Sequence, residues 1–278
     1  MRKELNTDVH IMPQLEKACG LDMHKDKIVA FISCKDSSEQ ELKEFGTFTR
    51  ELREVREWLQ TNHVEHCLME STGIYWMSLY TLLTEAGIYV TVANPVHIKQ
   101  IPKRKTDRKD ARWLCTLLLH GLVQASFMPD NNQRILRDYC RSRLFYTWQQ
   151  NKTQNHLLKI LESNNIKLRS VISTIHTKTA MDIIRLLAMG VTDKEVLLSC
   201  SRGQIKQKKE RLALALEGTL QEHHLVQLQM LLQDYDHVQV QVSKLDALID
   251  VIISQHYAQA VECLDSIRVL QLNRLRSF

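Results

Sequence analysis

The stretch "ACGLDMHKDKIVAFISC", residues 18–34, decides how the first half of this chain is read. Two apolar runs, "ACGLDM" and "KIVAFISC", flank a polar break at His24–Asp26. This predicts two adjacent strands joined by a short turn. Asp22 interrupts the first run at its end. A carboxylate among strand residues is costly unless it is paired, hydrogen-bonded or metal-bound.

Working outward, "EFGTFT" (44–49) predicts a third strand. "RELREVREWLQTN" (50–62) predicts an amphipathic helix with Leu52, Val55, Trp58 and Leu59 on one face. "EHCLME" (65–70) is a short apolar strand that ends on Glu70. "IYWMSLYTLLTEAG" (74–87) has a helical period and closes at Gly87. "IYVTVAN" (88–94) is a β-rich run stopped by Asn94 and Pro95. The order βββαβαβ followed by a helix predicts an α/β domain on a mixed sheet.

All four prolines and five of the eight glycines fall within the first 130 residues. Beyond Pro129 the pattern is helical. Residues 131–165 carry no breaker, and Leu228, Leu231, Tyr235, Val238, Val242, Leu245, Ile249 and Ile252 recur at spacings of three and four. That seam predicts a coiled coil or a helical hairpin, and an ordinary buried helix fits it equally. The expected domains are an extension over 1–17, an α/β domain over 18–128, a helical region over 129–260 and a tail over 261–278.

The formal net charge is +5, and the excess is clustered. Lys99, Lys103, Arg104, Lys105, Arg108, Lys109 and Arg112 face only Asp107 and Asp110 between residues 99 and 112, a density that points to phosphate as a partner. Seven scattered cysteines, with no C-x-x-C pair, argue for reduced thiols rather than a disulfide framework or a zinc site. Neither a signal-peptide pattern nor an apolar run of membrane-spanning length is found, so the expectation is a soluble, cytoplasmic protein. The phosphate-loop glycine patterns are missing too.

"KRKTDRKDAR", residues 103–112, sets acids inside this basic run. Asp107 and Asp110 share one face if the segment is a helix, with Thr106 as its N-cap. Capping and helix-dipole compensation account for them as they stand. Together with Asp22 and Glu70 they also make a set of four carboxylates suited to hard divalent cations such as Mg²⁺. His24 reads as a solvated turn residue in preference to a ligand. Tyr75, Trp76 and Tyr80 read as core rather than as a stacking surface for bases. The basic run "GQIKQKKER" (203–211) reads equally as nucleic-acid contact and as solvated helix.

"GLDMHKDKIVAFI", "MESTGIYWMSLYTLLTEAGIYVTVANPVHIKQI" and "KRKTDRKDARWLCTLL" resemble the N-terminal catalytic domain of the DEDD insertion-sequence transposases, the insertion sequence one-ten family, over about residues 18–125. The resemblance implies an RNase H-like, resolvase-like fold. It implies Asp22, Glu70, Asp107 and Asp110 as the catalytic and metal-binding set, with Mg²⁺ as cofactor. It implies DNA as partner, in some members with a structured guide RNA, and self-association through a coiled coil. With it go Lys103, Arg104, Lys105, Arg108 and Lys109 as contacts to a nucleic-acid backbone. In the family a Pro-Gly-rich segment and a serine-bearing domain follow the coiled coil. Here "CLDSI" is followed by "RVLQLNRLRSF", which departs from that pattern and leads to the expectation of a truncated copy without the serine. A stand-alone junction-resolving nuclease and a non-catalytic inhibitor of the full-length transposase are the alternative readings.

Overall fold

A computed structural model describes residues 15–35, 37–71, 73–95, 98 and 107–266. The chain divides into two compact units, Met1–Met128 and Pro129–Phe278.

In the first unit five strands form one sheet: β1 (Lys17–Met23), β2 (Ile28–Cys34), β3 (Gln40–Phe45), β4 (His66–Glu70) and β5 (Tyr89–Ala93). The order across the sheet is β3-β2-β1-β4-β5. β1, β2 and β3 run antiparallel, and β4 and β5 continue parallel to β1. With helices on both faces, this is the RNase H-like arrangement that the family resemblance implies.

Period-two alternation sorts the strands onto two cores. Cys19, Leu21, Ala30, Ile32, Cys67 and Met69 pack with helices α1 (Thr49–Thr61) and α2 (Trp76–Glu85). Ala18, Val29, Phe31, Leu68 and Ala93 pack with α3 (Asp107–Leu119) through Ala111, Leu114, Cys115 and Leu118. α3 lies directly over Gly20, where an added Cβ would sit 2.1 Å from the Ala111 carbonyl oxygen and 2.5 Å from the Cys115 nitrogen. Glycine is therefore required for close approach of the helix backbone. The Cys115 thiol donates to the Ala18 carbonyl at 3.2 Å, and burial pushes its pKa up to about 12.

Two expectations in this unit are corrected. The third strand lies at Gln40–Phe45, not at 44–49, because Phe48 already stands at the N-terminus of α1, where its backbone N–H donates to the Glu51 carboxylate. Among the three aromatic residues read as core, Tyr75 is exposed, while Trp76 and Tyr80 are half-buried.

The second unit is helical: α4 (Asn131–Ser163), α5 (Lys178–Ala188), α6 (Lys194–Ser199), α7 (Lys209–Ala215), α8 (Glu222–His256) and α9 (Ala258–Ser266), with short 3₁₀ turns at Leu168–Ser170 and Gly203–Lys208. Asp130 caps α4 by accepting from the Gln133 N–H at 2.8 Å. The C-terminal half of α4 and the N-terminal half of α8 pack with α5, α6 and α7 around Leu157, Ile160, Leu161, Ile184, Leu212 and Leu228. α4 and α8 also pack against each other, so the three-and-four seam has a partner within the chain. Leu232, not Leu231, is the buried residue after Leu228, since at that point α8 turns its apolar side to the helix cluster. No described helix is long and apolar enough to cross a membrane. The extension to residue 14 and the tail from residue 267 lie outside the described residues.

Candidate functional site

Alternation along β1 turns Asp22 to the α3 face, two steps beyond Gly20. Asp22 is only 9% exposed. The parallel register of β1 and β4 pairs Leu21 with Met69, the residues that immediately precede Asp22 and Glu70 in their strands. Glu70 lies two residues beyond Leu68, on that same face. Above them, α3 begins with Asp107 and Asp110 in its first turn, where the unsatisfied N–H groups favour negative charge. The Gly20 contact fixes how far that turn stands from the sheet.

The β1–β2 turn, closed by the His24 N–H donating to the Lys27 carbonyl at 2.9 Å, adds two more groups. His24 Nε2 lies 3.2 Å from Asp22 Oδ2 and 3.6 Å from Asp107 Oδ1. Lys27 Nζ lies 2.8 Å from Asp107 Oδ2. Ligand atoms of Asp22, His24 and Asp107 all fall within 4.8 Å of one another. His24, Lys25, Asp26, Lys27 and Asp107 border an open depression of about 430 Å³.

Burial pushes the Asp22 carboxyl above the usual aspartate range. His24 pulls it back, and the Asp110 and Asp107 charges push it up again. Lys27, hydrogen-bonded to Asp107, holds that carboxyl below its ordinary value. Asp22 is thus poised to gain from a cation. Two carboxylates and an imidazole in this spacing, with further acids close by, fit a hard divalent ion that prefers oxygen donors and keeps part of its water shell.

The four carboxylates named from the sequence are placed unevenly. Asp22 and Asp107 belong to the 4.8 Å group. Asp110 stands near enough to raise Asp22 electrostatically, and Glu70 closes β4 one residue after Met69, but neither belongs to that group. His24 does belong to it, while its side chain is 53% exposed in the β1–β2 turn, in keeping with its reading as a solvated turn residue. Its i+2 relation to Asp22 was the available signal, and Lys27 carried none beyond its charge. Arg108 and Lys109 are exposed on α3, and Arg108 Nε donates to Glu44 Oε1 at 2.8 Å. Lys103, Arg104 and Lys105, like Lys99 and Thr106, lie outside the described residues.

Residues 19–166, more than half of the chain, match the DEDD transposase family of the IS110 type, described as Transposase. The chain belongs to this family. Among its relatives, the transposase for insertion sequence element IS1533 of Leptospira borgpetersenii is 28% identical over 160 residues. That match takes in 54% of this chain and 44% of the relative, so it spans less than half of that protein. Among solved structures, T. thermophilus RuvC in complex with Holliday junction substrate is 12% identical, with a TM-score of 0.32 over 40% of this chain and all of that one. So slight a likeness adds nothing to the strand order. For this DEDD transposase chain, the strand order and the converging acids are the features from which a function must be argued.

Proposed function

We propose that this chain acts as a metal-dependent DNA transposase whose metal site is built by Asp22, Glu70, Asp107 and Asp110, with Mg²⁺ as the ion. The observation that carries this reading is the convergence of Asp22, His24 and Asp107 within 4.8 Å, with Asp110 close enough to raise Asp22. A bound divalent cation supplies Lewis-acid activation of a phosphodiester and a lowered pKa for coordinated water.

The chain's own groups do the rest. Asp22 and Asp107 present carboxylate oxygens from a rigid strand and a rigid helix. His24, within hydrogen-bond reach of Asp22, holds or passes a proton at Nε2. Lys27 keeps Asp107 ionised and ready to ligate. Arg108 can exchange the exposed Glu44 carboxylate for a phosphate, because a surface pair of this kind contributes little. Lys103, Arg104, Lys105 and Lys109 join it in attracting the backbone, so binding weakens steeply with salt.

A structured RNA as further partner, and a serine acting in strand transfer, rest on the family resemblance alone. For self-association we propose a second copy docking on the α4–α8 pair, where Leu144, Phe145, Trp148, Val240 and Val251 are exposed.

Incubating the full chain with branched DNA and Mg²⁺ tests the catalytic reading. Strand cleavage is expected, lost with EDTA and lost in Asp22→Ala. Cleavage by Asp22→Ala at the wild-type rate would refute it.

A further inference from the structure

The helical unit contains a polar concavity of about 360 Å³ that the carboxylate site does not use. It lies between the C-terminal half of α4 and the segment around the Leu168–Ser170 turn. At its base Gln154 is 4% exposed, and its Nε2 stands 2.7 Å from His176 Nδ1. The buried glutamine thus holds the His176 ring in the wall of the concavity.

The remaining lining agrees with this polarity. Asn151 and Asn155, one helical turn apart, contribute amide groups, and Ser173 and Thr174 contribute hydroxyls. Arg169 supplies a permanent charge with a planar fork of donors. Among the described residues no carboxylate lines the space. Across residues 151–178 the chain carries Lys152, Lys159, Lys167, Arg169 and Lys178 against one acid, Glu162. That acid is engaged by Lys167 at 2.8 Å.

A donor-rich, acid-free concavity under a positive field selects an oxyanion, and an arginine fork suits phosphate. The volume lies within the range of ligand pockets, roughly 300–1,000 Å³, and exceeds what a lone inorganic ion needs. Arg169, Ser173, Thr174 and His176 are exposed, so a polymer can enter from solvent without the helices parting.

We infer that the concavity formed by Asn151, Gln154, Asn155, Arg169 and His176 is a subsite for the sugar-phosphate backbone of a nucleic acid. It requires neither metal nor any carboxylate, and so it stands apart from the catalytic reading.

The test uses the full chain and a fluorescein-labelled single-stranded oligonucleotide, titrated by anisotropy in EDTA at several salt concentrations. There the catalytic reading expects no cutting, so failure of one reading is distinguishable from failure of the other. Arg169→Ala should weaken binding roughly tenfold at about 0.1 M salt and lower the salt slope by about one. Arg169→Lys should recover part of the affinity, and circular dichroism confirms that the exposed substitution leaves the helices intact. In wild type, the His176 ring resonances should shift as oligonucleotide is added. Unchanged affinity and slope in Arg169→Ala would overturn the inference. So would His176 resonances that respond to inorganic phosphate and not to the oligonucleotide.

Discussion

In the helical unit Asp236 meets the Arg185 guanidinium through two hydrogen bonds, at 2.8 and 2.5 Å, and Asp182 and Asp246 meet Arg202 and Arg143. In the sheet unit Asp22 is more buried than any of these, yet the charges that push on it hardest after burial and His24 are those of Asp110 and Asp107. In the helical unit those three acids each meet an arginine. The other unit gathers acids at the end of a strand and the start of a helix, with one half-exposed histidine and one lysine among them. Local rules of stability are broken at functional sites more often than elsewhere. The contrast is the physical ground for reading the sheet unit as the place where chemistry occurs.

The contrast can be broken most forcefully at Asp22. Asp22→Asn removes a poorly solvated charge, so cleavage of branched DNA should fall to background while the metal-free protein melts higher, by roughly 2–4 °C. Lower melting would mean that the carboxylate is structurally satisfied. Gly20→Ala should act through position instead. The new methyl collides with the α3 backbone, and about 1–3 kcal/mol of stability is expected to be lost in urea unfolding, together with most cleavage. Retained stability and activity would show that α3 need not sit so close.

A smaller effect is expected from the thiol under α3. The unfolded chain releases the Cys115 proton near pH 9, whereas the native chain holds it to about 12. Because the native pKa is the higher one, stability from this group is complete below pH 9 and is lost as pH rises through that window. Cys115→Ala should therefore flatten the alkaline limb of a melting profile. The smallest change belongs to the helical unit: Arg185→Ala should cost only about 0.5–1 kcal/mol, since both partners of that pair are more than one-third exposed.

Most of the sheet unit was legible because buried strands and amphipathic helices write their periods into the sequence. The β1–β2 pair, β4, β5, α1 and α2 follow directly from those runs. β3 was misplaced because it is an edge strand with a single buried residue, Phe45, in "QELKEF", so no apolar alternation announces it. Leu231 and Leu232 are adjacent leucines, and only tertiary packing selects between them.

At the candidate site, the acids of α3 could be named from spacing, but their reach to Asp22 depends on Gly20, a residue without a side chain to read. His24 was read as a solvated turn histidine, and its side chain is indeed half-exposed. Its tie to Asp22 follows from strand geometry rather than from composition.

Isothermal titration of Mg²⁺ into the full chain and its Asp22→Asn variant addresses the central claim most directly. The account predicts saturable binding by the wild type that Asp22→Asn abolishes or weakens at least about tenfold, the loss of one charged ligand from a hard-cation site. Equal binding by both proteins would contradict it.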